Sequence, residues 1–286
     1  MSSTVYLNGD WIAPEHAKVS VFDRGFLFAD GIYEVVPVYS GKPFLLELHL
    51  ARLYRSLREI TITVADDAFW HELVRDLIER NNYGDANGLI YIQVTRGAEA
   101  SRAHLPGNSL TPTVFATISP LAIHWDQPAP ARVTLLEDIR WLRCDIKSIS
   151  LLGNILLKQQ AASVGAVEPI LHRDGLITEG ASSNFFAVHN GELFTAPKNH
   201  LILPGISRDW VIELAHEAGI RVHEEPFKVA DLPQLDELFL TSSSREVQPI
   251  GQIDDIIIAD GQCGPVTAIL IEAFHASKRR LLNSRR

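Results

Sequence analysis

Cysteine is scarce in this chain. Cys144 and Cys263 are the only two, too few for a disulfide framework, and neither sits in the CxxC or Cys/His spacing that a metal site uses. A reducing compartment fits that scarcity. Positive charge is also short: 26 lysines and arginines face 35 acids, a formal net charge of −9, which excludes an extended basic surface for nucleic-acid phosphates. Any anionic ligand must be held locally. The only basic cluster, Lys278-Arg279-Arg280 with Arg285-Arg286, reads as a solvated helix end without function. No apolar run approaches the ~18 residues that span a bilayer, and the start Met1-Ser2-Ser3-Thr4-Val5-Tyr6 has neither a basic n-region nor an apolar h-region. The chain is expected in the cytoplasm, without membrane or nucleic-acid partners.

What is present is a 286-residue chain, 46% hydrophobic, long enough for a sizeable core and about two domains. Asn8-Gly9-Asp10 between Val5-Tyr6-Leu7 and Trp11-Ile12 signals a hairpin. A second hairpin runs from Tyr33 to Tyr39 and back through Phe44, with Pro37 suggesting an edge or bulge. Leu46, Leu50, Leu53, Leu57 and Ile60, then Phe69, Leu73, Leu77 and Ile78, recur at helical spacing and predict two amphipathic helices. Residues 89–95 and 113–118 read as strands. Ser119 to Ala131, with three prolines, reads as a connection. The expected organisation is a small N-terminal domain over 1–120, a linker at 121–131 and a larger C-terminal domain over 132–286. In the second half, strands are expected at 132–136, 185–188, 192–194, 237–241 and 256–259. Helices are expected near 151–164, from Pro204 to Gly219, and from Pro265 to Leu282. Without regular βαβ alternation, the class is α+β.

Lys147 is one of only seven lysines and lies just before the helix pattern at Leu151, where a four-carbon amine can reach into a cleft or simply into solvent. Downstream stand Glu179 before the small residues Gly180-Ala181-Ser182-Ser183, Gly205-Ile206-Ser207 at a helix start, and Thr241-Ser242-Ser243-Ser244 after a strand. Each has a bland reading: a turn acid, an N-cap, a solvated hydroxyl loop. Together they match what pyridoxal phosphate asks of a protein, namely an amine, a carboxylate for the ring nitrogen and phosphate donors at a helix N-terminus or a nest. Arg52 could add a cation for the phosphate, or, with Arg55 and Arg58, form a solvent-exposed arginine face.

The chain resembles the class IV, fold-type IV pyridoxal phosphate aminotransferases over nearly its whole length. The motifs that carry the likeness are Asp23-Arg24-Gly25, Asp30-Gly31-Ile32-Tyr33-Glu34, His49-Leu50-Ala51-Arg52-Leu53, Lys147, Glu179-Gly180 with Asn184, Leu203 to Arg208, and Thr241 to Pro249. The resemblance implies a two-domain α+β fold with a small N-terminal α/β domain and a larger, mixed, barrel-like C-terminal domain. It implies that Lys147 forms the Schiff base with pyridoxal 5′-phosphate and that Glu179 contacts the ring nitrogen. It also implies that Arg52, Ile206, Ser207 and Ser243, with Ser242 beside it, bind the phosphate. Ser207 stands where relatives often carry threonine, which keeps the hydroxyl.

Arg102-x-His104 is, alone, an ordinary polar loop triplet. Within the family it resembles the carboxylate trap of D-amino acid transaminases, in which a guanidinium fork, a histidine and the hydroxyl of Tyr33 fix the substrate's α-carboxylate. The implied reaction moves an amino group from a D-amino acid of the D-alanine type to 2-oxoglutarate or pyruvate, in a homodimer whose loop completes the neighbouring active site. A branched-chain L-amino acid aminotransferase or aminodeoxychorismate lyase is the alternative within the fold, and a non-catalytic cofactor-binding scaffold the alternative outside it. The role of Arg24 stays open between pocket and turn.

Overall fold

The computed structural model describes residues 4–64, 66–123 and 125–283, so the first three residues, Arg285 and Arg286 lie outside the described set. Among the described residues the chain forms two compact units, one of residues 4–123 with 146–150, the other of 125–145 with 151–283. The expected division kept Lys147 with the C-terminal half. The structure instead associates residues 146–150 with the first unit: the Tyr33 amide donates to the Lys147 carbonyl (3.0 Å), and the Ile149 amide donates to the Gly31 carbonyl (3.0 Å).

The first unit contains β1 (Val5–Leu7), β2 (Asp10–Ile12), α1 (Arg24–Phe28), β3 (Gly31–Tyr39), β4 (Lys42–Pro43), α2 (Leu46–Glu59), α3 (Asp67–Arg80), β5 (Gly88–Thr95) and β6 (Thr113–Pro120). The strands form one sheet in the order β2-β1-β6-β5-β3-β4, with every neighbouring pair antiparallel. Alternation along β5 buries Ile90, Ile92 and Val94 on one face, as a one-sided sheet requires. Leu50, Leu53 and Leu57 of α2 and Trp70, Leu73 and Leu77 of α3 join that core. The two predicted helices therefore occupy the places their spacing assigned.

The second unit contains β7 (Ala131–Glu137), α4 (Leu152–Ser163), β8 (Pro169–Arg173), β9 (Leu176–Gly180), β10 (Asn184–His189), β11 (Glu192–Thr195), α5 (Ile206–Glu217), β12 (Val222–Glu224), β13 (Glu237–Ser242), β14 (Glu246–Ile253), β15 (Ile256–Ile257) and α6 (Pro265–Asn283). Its sheet runs β12-β11-β10-β13-β14-β7-β8-β9, with β15 added to β14. Phe185, Ala187, Leu238, Leu240 and Ile250 build one core face. Phe186 and Phe239 stack on the other (centroids 4.8 Å apart), and α5 and α6 pack against β13. Sheets covered on both faces read as continuous apolar runs, which is why β10 and β13 were legible. The expected strand at 256–259 stops at Ile257 and gives way to a 3-10 turn, Ala259–Gly261.

Lys278 corrects the reading of the C-terminal basic cluster. It repeats at helical spacing after Leu270 and Phe274, on the face of α6 that packs on β14, and it is 0% exposed. Its Nζ lies 2.5 Å from Glu246 Oε2. Among the described residues no helix is long and apolar enough to cross a membrane.

Candidate active site

In the first unit the site begins at β3. Lys147 is bonded to this strand through its carbonyl, its amide donates to Ser56 Oγ of α2 (3.3 Å), and its Nζ sits 4.1 Å from the centroid of the Tyr33 ring. An ammonium over an aromatic face is attracted by the ring quadrupole, so Tyr33 steadies the amine. Tyr33 also stacks on Tyr91 (5.7 Å). The next residue, Glu34, points to the opposite face of β3 by strand alternation and is buried. There it accepts from Arg52 Nε and Nη2 (both 2.8 Å), and His49 Nδ1 lies 2.9 Å from Oε2. Burial alone would raise the Glu34 pKa, but Arg52 and His49 outweigh it and hold the carboxyl well below the usual range. Burial pushes the His49 pKa down, as do the charges of Arg52 and Lys147, against the upward pull of Glu34. Arg52 is thus no part of a solvated arginine face: its guanidinium is oriented by a buried carboxylate.

Arg24, whose role the sequence left open, anchors the segment between β5 and β6. Asp23 caps α1 by accepting from the Gly25 amide (2.8 Å), and it accepts from Thr113 Oγ1 (2.7 Å). The Arg24 guanidinium, 4% exposed, donates to Asp30 Oδ2 (2.8 Å), Glu99 Oε1 (2.9 Å), the Ala103 carbonyl (2.7 Å) and the His104 carbonyl (2.8 Å). Arg102 and His104 both come to Phe28: the guanidinium lies 4.8 Å above its ring, and the imidazole centroid is 5.6 Å away. The structure brings these two residues together, while Tyr33 is engaged by Tyr91 and Lys147. The glycines of both motifs are there for close approach, since a Cβ on Gly25 would stand 2.2 Å from Thr95 Cγ2 and one on Gly31 2.6 Å from the Val94 carbonyl oxygen.

In the second unit Glu179 lies in β9, not in a turn, and is 3% exposed. It accepts from Arg140 Nη1 (2.8 Å), Asn184 Nδ2 (3.0 Å) and the Leu203 amide (3.0 Å). Burial pushes its pKa up to about 7 against the downward pull of Arg140. Asp138, held low by Arg140 and Arg173 in spite of its burial, fixes Arg140 from the other side. Sequence reading missed Arg140, which stands 39 positions before its partner. Its only signal is an arginine between the apolar Ile139 and Trp141. Glu168, also missed, is buried and binds Lys158 Nζ (2.8 Å), the Ser182 amide (2.7 Å) and the Ser183 hydroxyl (3.1 Å), which fixes the turn after Glu179.

Asn184 ties the remaining candidates together. It pairs with Thr241 across β10 and β13, and its amide also donates to the Leu203 carbonyl (2.8 Å), one residue before Pro204-Gly205. The N-terminus of α5, with Ile206 and Ser207 in its first turn, and the turn after Ser242 are therefore both held near Glu179. Gly205 gives α5 no side-chain cap, so Ser207 is a first-turn residue and not the cap. Ser242 Oγ accepts from the Arg245 amide (3.2 Å) within its turn, and Ser243 follows at the tip. Among the described residues, Thr241 Oγ1 is buried and has no hydrogen-bond partner.

Comparison with known proteins decides the family. The family model for amino-transferase class IV matches residues 31–253. The chain belongs to the class IV aminotransferases. A D-alanine aminotransferase from Staphylococcus epidermidis is 42% identical to this class IV aminotransferase over 278 residues, 94% of this chain and 96% of that one. Among solved structures, the branched-chain amino acid aminotransferase of Escherichia coli superposes with a TM-score of 0.88 at 27% identity, covering 96% of this chain and 94% of that one. The branched-chain aminotransferase of the archaeon Thermoproteus uzoniensis, solved with norvaline, superposes with a TM-score of 0.86 at 26% identity and covers 99% and 98%.

Class IV aminotransferases use pyridoxal phosphate, and the groups described here fit it. An uncapped helix N-terminus, a hydroxyl-bearing turn with an unpartnered buried threonine and a poised carboxylate stand in the second unit. A lysine over a tyrosine and a buried arginine stand in the first.

Proposed function

We propose that this enzyme transfers the amino group of a D-amino acid of the D-alanine type to a 2-oxo acid such as 2-oxoglutarate or pyruvate. The observation that carries the reading is the Arg24-anchored loop, whose fixed carbonyls at 103 and 104 present Arg102 and His104 side by side at Phe28. A guanidinium and an imidazole so held suit one carboxylate. The 42% identity to a D-alanine aminotransferase, against 27% to the branched-chain enzyme, supports the same choice.

When bound, pyridoxal phosphate supplies an aldehyde for the substrate amine and an electron-withdrawing ring that acidifies the Cα–H bond. Lys147 would hold the cofactor through Nζ, and its free amine would take up and return the substrate's Cα proton. Glu179, whose ionised form Arg140 favours against the effect of burial, would hold a proton on the ring nitrogen. Arg52, Ile206, Ser207, Ser242 and Ser243 hold the phosphate, with Glu34 orienting Arg52. Tyr33, Arg102 and His104 grip the α-carboxylate and so select the face of Cα presented to Lys147.

The working form is a homodimer in which each loop serves the neighbouring site. Supporting this, Val21, Phe26 and Leu105 are exposed in the first unit and Ile139, Leu142 and Leu152 in the second. The free thiols of Cys144 and Cys263 suit the cytoplasm. The test is the visible spectrum of the purified enzyme, with D-alanine and L-leucine added separately in the absence of any oxo acid. Bleaching of the cofactor band by D-alanine alone is expected. Bleaching by L-leucine alone would overturn the substrate assignment.

A further inference from the structure

The turn that carries Ser242 and Ser243 is strained at one place. β13 and β14 are joined by three residues, Ser243 to Arg245, and closed by the pairing of Ser242 with Glu246. The residue that closes this loop sits in the left-handed region, where glycine is the usual occupant. Here Glu246 takes that conformation, at φ 56°. A glutamate has no intrinsic preference for it, so other contacts must hold it there.

Lys278 provides such a contact. It comes from α6, is 0% exposed, and places Nζ 2.5 Å from Glu246 Oε2. The Trp125 ring covers the same ammonium at 4.7 Å and packs on His275 (5.8 Å), whose Nε2 lies 3.9 Å from the same carboxylate oxygen. An ion pair enclosed in this way is hard to break, because separating it leaves a charge buried and unpaired. Since α6 packs directly on β14, the helix position is transmitted to the first residue of that strand.

We propose that Lys278 is a positioning residue for the cofactor phosphate: through Glu246 it locks the turn from Ser242 to Arg245 in the form that offers hydroxyl and amide donors. This rests on the assignment of Ser242 and Ser243 to the phosphate. Loss of the lysine releases Glu246 from its left-handed conformation and opens the turn, while Lys147 and Glu179 keep their own supports.

The test compares cofactor-stripped full-length enzyme titrated with pyridoxal phosphate and with pyridoxal, which keeps the aldehyde and ring but lacks the phosphate. Lys278→Met is expected to raise the Kd for pyridoxal phosphate about tenfold while leaving that for pyridoxal within about twofold. The double variant Lys278→Met/Glu246→Gly, which buries no unpaired charge and puts glycine at the left-handed position, is expected to restore binding of pyridoxal phosphate. Ser243→Ala and Ser242→Ala report on the underlying assignment. If neither serine variant changes the ratio of the two Kd values, the phosphate assignment fails and the proposal with it. If a serine variant changes the ratio and Lys278→Met does not, the proposal alone is overturned. Should Lys278→Met not fold, the double variant decides: wild-type selectivity upholds the proposal, and selectivity that stays lost with glycine in place refutes it.

Discussion

Replacing Arg140 with methionine should destabilise the cofactor-free enzyme in a pH-dependent way. Arg140 Nη1 lies 2.8 Å from Glu179 Oε1, and the two side chains are 7% and 3% exposed. Removing one member of a buried pair costs about 3–5 kcal/mol when the survivor stays charged. Glu179 has an escape, because burial already pushes its pKa up to about 7, and losing Arg140 raises it further. A raised carboxyl pKa means that the folded state binds more protons than the unfolded state between the two pKa values, so stability falls as pH rises through that window. In the wild type this decline ends at about pH 7. In Arg140→Met it continues at about 1.4 kcal/mol per pH unit, reaching 3–5 kcal/mol about two to four units higher. Below about pH 7 only the lost hydrogen bonds remain, about 1–2 kcal/mol, since Asp138 keeps Arg173. Urea unfolding of both proteins from about pH 6 to pH 9.5, followed by tryptophan fluorescence, measures this, and adding Glu179→Gln should abolish the pH dependence. A loss that is equal across the range, or shrinks as pH rises, would refute the role given to Arg140.

Other outcomes follow from the same geometry. Lys147→Ala should fold and bind pyridoxal phosphate without turnover, and measurable transamination by that variant would remove Lys147 from its role. Arg24→Met, which loses three hydrogen bonds to the loop of Arg102 and His104 and one to Asp30, should lower kcat/KM for D-alanine about a hundredfold, chiefly through KM, with cofactor affinity unchanged. Lys147→Ala and Arg102→Met subunits, each inactive alone, should recover about a quarter of wild-type activity when unfolded and refolded together, because half of the dimers then carry one intact site. No recovery would argue that each loop serves its own subunit. Gly31→Ala should cost about 1–3 kcal/mol by thermal or urea unfolding, since its Cβ would stand 2.6 Å from a backbone oxygen that cannot swing aside.

Much of the site was legible because its chemistry lies in local motifs. Glu179, Asn184, Ile206, Ser207 and the run from Thr241 to Ser244 each stand in a short stretch whose residue types state a purpose, and the structure draws them to one end of the β10 and β13 pair through Asn184. Partners far away in sequence were not legible. Arg140 reaches Glu179 across 39 positions and Lys278 reaches Glu246 across 32, and no spacing rule links residues at such separations. Arg24 was visible as a motif, but its purpose was not, because that depends on the carbonyls of Ala103 and His104, which carry no side-chain signature.

By itself the sequence determined the α+β class, the two amphipathic helices, the family and the candidate residues proposed to meet the cofactor. These depend on hydrophobic periodicity and on motif chemistry, both of which are local. Only the tertiary structure decided that residues 146–150 join the first unit, that Arg52 is oriented by Glu34 and that Lys278 is buried. Each of those turns on which chain segments exclude water from one another, and burial of a charge is settled by the partner it finds there.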